Sequence, residues 1–103
     1  MDTQSWRNKA SYFDFRGHRI AYWTGGNEDA TPLLLVHGFP TCAFDWVPVW
    51  ETLGAQRRLI ACDMLGFGLS DKPRSGFAGQ GYTIHWQTDV QAALLAQCGV
   101  SGV

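Results

Sequence analysis

Three polar residues in this sequence have side chains that could carry out acid–base or nucleophilic chemistry. His37 comes directly after the apolar run Leu33–Val36, Asp63 comes directly after Leu59–Cys62, and Ser70 lies in the glycine-rich stretch beyond. Histidine can carry a proton, and aspartate can serve as a general acid or base. A serine becomes a nucleophile when a base activates it, and the sequence places no base near Ser70. The residue types therefore allow acid–base or nucleophilic chemistry without requiring it.

A structural interpretation exists for each of these residues, and we favour it. His37 would shape the loop that follows its strand. The Asp63 carboxylate would accept hydrogen bonds from N–H groups of the glycine-rich turn, and Ser70 would cap the same loop. His18 is expected at a hairpin tip, where histidine tolerates unusual backbone angles, and His85 on the solvated first turn of a helix.

The cysteines do not indicate a metal site or a disulfide framework. Cys42, Cys62 and Cys98 are odd in number and widely spaced, and no C-x-x-C pair is present. We therefore expect buried, reduced thiols and no bound metal.

Two glycine-containing patterns resemble nucleotide-binding motifs but are incomplete. Asp63-x-x-Gly66 matches one GTPase element, yet no phosphate-binding G-x-x-x-x-G-K-[ST] loop accompanies it. Gly66-x-Gly68 opens a dinucleotide fingerprint, yet Asp71 stands where the third glycine is required. We discard both patterns and predict no cofactor.

The segments that must position these residues include four predicted strands. Tyr12–Arg16 alternates between apolar and polar residues, and Arg19–Trp23 is rich in β-favouring residues. With a turn at Gly17-His18, the two segments predict an antiparallel hairpin. Leu33–Val36 and Leu59–Cys62 are apolar without alternation, which is typical of strands buried on both faces of a parallel sheet. A polar loop is predicted from Gly25 to Asp29.

Two helices are predicted between and after the buried strands. Phe44–Leu53 reads as a short helix begun or broken by Pro48, and its Phe44, Trp46 and Trp50 could line a pocket or pack in the core. The second helix has Thr83 as N-cap and Gly99 after its C-terminus. One face of that helix is apolar: Trp86, Val90, Ala93, Leu94 and Cys98.

The order of elements predicts an α/β fold. The series strand, helix, strand, helix implies a parallel sheet with helices on its faces, preceded by the antiparallel hairpin. We expect residues 1–10 to be an N-terminal extension and residues 11–103 to be part of one domain. The long loop at residues 63–81 follows a carboxyl end of the sheet, where ligands bind in open parallel sheets.

The two loops and their order resemble the α/β-hydrolase superfamily. A buried strand ending in His37-Gly38-Phe39-Pro40 is followed by Phe44-Asp45-Trp46, and later by Asp63 and the segment Gly66-Phe67-Gly68-Leu69-Ser70-Asp71-Lys72-Pro73. These motifs are similar to those of the branch that contains epoxide hydrolases and haloalkane dehalogenases. Within that branch the sequence resembles the mesoderm-specific transcript proteins. The resemblance covers residues 12–103.

The resemblance implies a role for the loop after the third strand. In the family, that loop supplies a backbone N–H of the oxyanion hole, which here would be the N–H of Phe39. Such a donor stabilises developing negative charge by about 3–4 kcal/mol. His37, Gly38 and Pro40 would support the loop, since Gly38 lets the backbone come close to a ligand and Pro40 fixes the next φ and allows a cis bond.

The family's nucleophile, acid and general-base histidine are not matched in this chain. The nucleophile sits on a sharp strand-to-helix turn, G-x-S-x-G or its Asp equivalent, after a strand that would begin near Val103. Gly99-Val100-Ser101-Gly102-Val103 resembles this turn, but Val103 replaces the second glycine and Ser101 precedes the expected strand. We therefore expect this chain to be the N-terminal portion of a cofactor-free hydrolase. Phe39, where dehalogenases more often carry Asn, favours an epoxide-hydrolase-like parent.

Composition and charge narrow the classes of partner that the protein is expected to bind. A formal net charge of −1 gives no electrostatic footprint for nucleic acid or an anionic membrane, and no apolar run is long enough for a membrane span. We expect a cytoplasmic protein whose intact parent acts on a small molecule. The alternative is a truncated, non-catalytic product that binds a protein partner, or a second copy, through the open edge of its incomplete sheet.

Overall fold

The computed structural model describes residues 1–74 and 83–103 of the chain. In chain order the helices are α1 (Thr3–Asn8), a 3₁₀ helix (Ala43–Trp46), α2 (Val47–Gly54) and α3 (Ile84–Gln97). The strands are β1 (Ser11–Phe15), β2 (His18–Gly26), β3 (Pro32–Leu35) and β4 (Arg58–Cys62). Part of the long loop predicted at residues 63–81, namely residues 75–81, lies outside the described residues.

The four strands form one mixed sheet in the order β1-β2-β4-β3. β1 and β2 are the predicted antiparallel hairpin, and β3 and β4 are the predicted parallel pair. The two pairs join because β2 lies antiparallel to β4, so that β4 is central. Within the described part of the chain, β3 pairs on one side only and forms an edge of the sheet.

The predicted turn at Gly17-His18 is wrong by one residue. The turn residues are Arg16 and Gly17, whose φ angles are 51° and 87°, while His18 already pairs with Phe15. A two-residue hairpin turn of this kind needs positive φ at both central positions. Arg16 therefore takes the left-handed conformation that the sequence analysis assigned to His18.

The predicted loop at Gly25–Asp29 begins too early, because β2 continues through Gly26. Gly25 and Gly26 pair with Leu59 and Arg58 of β4. A Cβ on Gly25 would lie 2.9 Å from Nε1 of Trp50, and one on Gly26 would lie 2.2 Å from a backbone carbonyl oxygen. The glycines therefore let α2 approach the strand closely. In the sequence, a pair of glycines required for packing looks the same as a pair that marks a loop.

The apolar run of β4 is buried on both sides of the sheet, as predicted. The same prediction is wrong for β3, because this strand forms an edge of the sheet within the described residues. Leu33 and Leu34 are only partly buried, and Val36 lies beyond the end of the strand and is 46% exposed.

In β4, Leu59 and Ala61 pack in one core cluster, whereas Ile60 and Cys62 pack in the other. Val90 and Leu94 of α3 complete the cluster around Ile60, and the predicted helix face holds. On the opposite side, α2 and α1 cover the sheet.

Helix ends follow their sequence signals closely. Thr83 Oγ1 accepts a hydrogen bond from the N–H of Trp86 at 3.3 Å, and Gly99 has a φ of 69°. Pro48 lies in the first turn of α2, where a missing N–H costs nothing. Phe44 belongs to the 3₁₀ helix ahead of α2 rather than to α2 itself.

Helix α1 is not foreseen by the sequence analysis. Its Trp6 is buried, stacks on Trp23 with a centroid distance of 4.6 Å, and meets Phe44 and Trp50 edge-on. The Trp23 indole N–H donates to the Trp6 carbonyl at 2.8 Å. Trp50 belongs to this buried cluster, and Phe44 and Trp46 are partly buried and pack against it. The structure therefore favours core packing, one of the two interpretations left open for these three residues. The boundary between residues 1–10 and 11–103 stays a prediction.

The described residues contain neither a metal-binding cluster nor a membrane-spanning helix. No group of His, Cys, Asp and Glu side chains in residues 1–74 and 83–103 is arranged to hold a metal ion. No helix in that part of the chain is both long enough and apolar enough to cross a bilayer.

Candidate active-site cleft

Two loops meet where the parallel strands end. The β3 loop (residues 36–42) follows β3, and the β4 loop (residues 63–73) follows β4. Because β3 and β4 are parallel neighbours, their carboxyl ends lie at the same edge of the sheet. Between the loops and the first turns of α3 lies a cleft of about 550 Å³, a size usual for small-molecule sites. Its lining is Val36, His37, Phe39, Met64, Phe67, Ile84, Gln87, Thr88 and Gln91.

Asp63 organises the β4 loop. Its side chain is 2% exposed, and its two carboxylate oxygens accept hydrogen bonds from the N–H groups of Ala43 and Leu69, both at 2.8 Å. The structural interpretation of Asp63 is therefore confirmed. Gly68 has a φ of 54°, and a Cβ there would lie 2.1 Å from Asp63 Oδ2. Only glycine fits between the turn and the carboxylate.

Ser70 links the β4 loop to the sheet. Its Oγ donates to the Asp63 carbonyl at 2.6 Å and accepts from the N–H of Ala21 in β2 at 2.9 Å. The serine is buried, and its hydroxyl proton is already donated. This is a stronger structural role than the predicted loop cap, because it joins the loop to β2.

Gln87 is a site residue that the sequence analysis missed. Its side-chain amide accepts from the N–H of Leu65 at 3.1 Å and donates to the Leu65 carbonyl at 2.8 Å. The side-chain amide of Gln87 thus satisfies both backbone polar groups of Leu65, as a neighbouring strand would. The available signal was a glutamine next to Trp86 and one turn before Val90, on the buried side of the predicted helix.

His37 connects the two loops. Its Nε2 accepts from the N–H of Met64 at 3.0 Å, and its Nδ1 lies 2.8 Å from the Gly38 carbonyl oxygen. A backbone N–H can only donate and a carbonyl oxygen can only accept, so these partners select a neutral imidazole with its proton on Nδ1. Both ring nitrogens are occupied, and the side chain is buried.

The carbonyl of Gly38 is held by three donors. They are Nδ1–H of His37 at 2.8 Å, Oγ1–H of Thr41 at 3.0 Å and the N–H of Thr41 at 3.1 Å. The same planar peptide unit carries the N–H of Phe39, trans to that oxygen. Fixing the carbonyl therefore fixes the direction of the N–H, which has no acceptor among the described residues.

The rest of the β3 loop is open. Phe39 is 85% exposed, and the Phe39-Pro40 peptide bond is cis. A Cβ added to Gly38 would meet no atom within 4 Å. The described residues therefore leave room for a side chain at position 38.

Comparisons with known proteins identify the family. The family model described as alpha/beta hydrolase fold matches residues 31–101. The chain belongs to this family. The human mesoderm-specific transcript homolog protein is 39% identical over 99 residues, covering 93% of this chain and 28% of the human protein. A soluble epoxide hydrolase from a Corynebacterium species is 41% identical over 61 residues, covering 59% of this chain and 21% of the relative.

A solved structure agrees with the fold. A haloalkane dehalogenase loop variant from Bradyrhizobium elkanii superimposes with a TM-score of 0.75 at 29% identity, covering 87% of this chain and 28% of the dehalogenase. The mixed sheet is therefore that of an α/β hydrolase, as the sequence resemblance implied. The chain spans about 28% of the length of the mesoderm-specific transcript proteins it matches.

The thiols of this α/β-hydrolase chain are not activated nucleophiles. Burial raises the pKa of Cys62 to about 12, and it also raises the pKa of Cys42 and of Cys98. A thiol is reactive as the thiolate, so all three are protonated at neutral pH. Cys62 is buried as predicted, whereas Cys42 and Cys98 are only half-buried. His85 is exposed, as predicted.

Proposed function

We propose that this chain is the N-terminal portion of a cofactor-free α/β-fold hydrolase of the epoxide-hydrolase type, in which the N–H of Phe39 belongs to the oxyanion hole. The observation that carries the proposal is the Gly38 carbonyl held by three donors. A donor whose direction is fixed before the reaction stabilises developing charge without reorganisation. His37, Gly38 and Pro40 support this donor.

The reaction would proceed through a covalent ester. An aspartate nucleophile attacks a ring carbon of an epoxide, the bond between that carbon and the ring oxygen breaks, and an acid protonates this oxygen to a hydroxyl group. Water, which loses a proton to a histidine, then adds to the ester carbonyl. Negative charge develops on the carbonyl oxygen, to which the Phe39 N–H would donate, and collapse of this adduct releases the diol and the free aspartate. A serine nucleophile acting on an ester substrate would need the same donor.

The nucleophile, acid and base would come from outside this chain. His37, Asp63 and Ser70 each use their polar atoms in the bonds that hold the two loops. Releasing any of them for proton transfer would leave a buried partner unsatisfied, at a cost of about 1–3 kcal/mol. Ser101 is exposed and follows α3 rather than a strand, which does not match a nucleophile turn.

The substrate would be a small molecule with a strained or activated carbon. An epoxide is favoured over a haloalkane because Phe39 offers no side-chain amide to bind a halide. We further propose that the protein is cytoplasmic, binds neither nucleic acid nor membranes, and forms its domain from residues 11–103, with residues 1–10 as an extension.

The test is turnover by the native gene product with two substrates, styrene oxide and p-nitrophenyl acetate. Thr41→Val removes one donor to the Gly38 carbonyl, while the backbone N–H of residue 41 remains. It should lower kcat about two- to tenfold, the effect of one hydrogen bond, with KM little changed. Thr52→Val, at an exposed position of α2, is the matched control. Absence of turnover of both substrates would contradict the proposal.

A second candidate is a truncated, non-catalytic product that binds another protein chain, including a second copy, through β3. The observation that favours it is the edge position of β3 within the described residues. An open edge presents unpaired backbone groups to another strand. Sedimentation equilibrium of the native product at micromolar concentration should then give a dimer or a larger complex. A monomer with hydrolase activity would exclude this candidate.

A further inference from the structure

Three rings stand in a row along the wall of the cleft. The ring of Phe67 meets the ring of His37 edge-on at a centroid distance of 5.6 Å, and it meets the ring of Phe39 edge-on at 5.8 Å. His37 is fixed by hydrogen bonds on both nitrogens. Phe67 is therefore the aromatic neighbour that contacts the ring of Phe39, which is otherwise exposed to solvent.

Phe39 joins two functions in one residue if its N–H holds the oxyanion. Its ring, which lines the same cleft, then lies close to the carbonyl of the covalent ester that the N–H would stabilise. A substituent on the reacting carbon would lie against this ring. Aromatic rings prefer an aromatic partner, in edge-to-face or offset-stacked geometry, by more than their buried area explains.

We propose that the cleft selects substrates with an aryl group next to the reacting carbon, and that Phe67 is the positioning residue that holds the Phe39 ring for this contact. This inference rests on the proposed function, since it uses the same N–H of Phe39. The cleft of about 550 Å³ has room for one aromatic ring and a short linker.

The side chain of Phe67 can be changed without removing the bonds of its loop. Its backbone N–H donates to the Met64 carbonyl at 2.9 Å, and its carbonyl accepts from the N–H of Ser70 at 3.1 Å. Neither bond involves the ring, which is half-buried. Phe67→Leu should therefore keep the turn and lose the ring-to-ring contact with Phe39.

The experiment compares the affinity of the native gene product for benzyl alcohol and for cyclohexylmethanol, measured by NMR titration. The two probes have similar size and the same hydroxyl, so that their ratio reports the aromatic contact. The native protein should prefer the aryl probe about two- to tenfold. Phe67→Leu should bring the ratio close to one, and Phe67→Tyr should restore it. Tyr12→Leu, at a partly exposed aromatic residue outside the cleft lining, should leave the ratio unchanged.

The outcomes separate this inference from the proposed function. Equal affinity of the native protein for both probes, or a ratio unchanged in Phe67→Leu, would overturn the aryl site even if epoxides are hydrolysed. A Phe67-dependent aryl preference in a protein that hydrolyses neither styrene oxide nor p-nitrophenyl acetate would support the aryl site and overturn the catalytic proposal.

Discussion

The two loops of the cleft differ in how they are held. In the β4 loop, the side chains of Asp63, Ser70 and Asp71 bond to backbone groups of β2, of the 3₁₀ helix and of the loop itself. The β3 loop is attached to the β4 loop through His37, its Gly38 carbonyl is held by donors of the β3 loop itself, and the ring of Phe39 projects into solvent.

This difference indicates that the two loops have separate roles. The β4 loop is a rigid support that touches the sheet, α3 and the β3 loop, and its buried polar groups are satisfied internally. The β3 loop carries the group proposed for chemistry, and it takes its geometry from the β4 loop through the Met64-to-His37 hydrogen bond. A residue that supports a site can thus lie on a different loop from the site itself.

Gly68→Ala is the substitution expected to destabilise the β4 loop most. The left-handed φ alone costs about 1–2 kcal/mol. The new Cβ would also occupy the position of Asp63 Oδ2, so that at least one buried N–H loses its acceptor, at about 1–3 kcal/mol. We expect the free energy of unfolding, measured in urea, to fall by about 2–5 kcal/mol. A loss below 1 kcal/mol would mean that the turn is not rigid.

Asp63→Asn should have the next largest effect. The amide group can accept from only one of the two N–H donors of Ala43 and Leu69, and its own N–H₂ group would face the other donor. The expected loss of unfolding free energy is about 2–3 kcal/mol. Asp14→Asn is the matched control, because Asp14 accepts only one long, exposed bond from Gly17. Equal losses in both variants would contradict the supporting role of Asp63.

His37→Ala tests the connection between the loops. It removes the acceptor of the Met64 N–H and one donor to the Gly38 carbonyl, so we expect a loss of about 1–2 kcal/mol. The same chemical change at the exposed His85 should alter stability by no more than about 0.5 kcal/mol. If the proposed function is correct, His37→Ala also lowers kcat, because the direction of the Phe39 N–H is no longer fixed.

Gly38→Ala should have the smallest effect on stability and completes the comparison with Gly68→Ala. A Cβ on Gly38 meets no atom within 4 Å, and Gly38 is not among the residues with positive φ. The expected change is within about 0.5 kcal/mol. Activity of the native product should fall more than stability, because the added methyl group occupies the approach to the proposed donor. A large loss of stability would show that the β3 loop is also tightly packed.

Local signals predicted local structure well. The correct predictions depend on residues only a few positions apart: the Thr83 cap, the Gly99 helix end, the hairpin and the buried strand β4. Asp63 was also assigned correctly, because a carboxylate beside a glycine-rich turn has N–H donors at hand. Gln87 and Trp6 were missed, since each acts on a partner many positions away, Leu65 and Trp23 respectively.

The sequence by itself determined the α/β class, because that class depends on residue order and on short-range periodicity. It also determined the family and the loop that carries Phe39, because the two loop motifs resemble those of the α/β hydrolases. The tertiary structure decided that β2 lies against β4, that His37 is neutral with its proton on Nδ1, and that Gly68 makes room for Asp63. Each of these depends on groups brought together from separate segments, and the burial of their polar atoms allows only one arrangement of donors and acceptors.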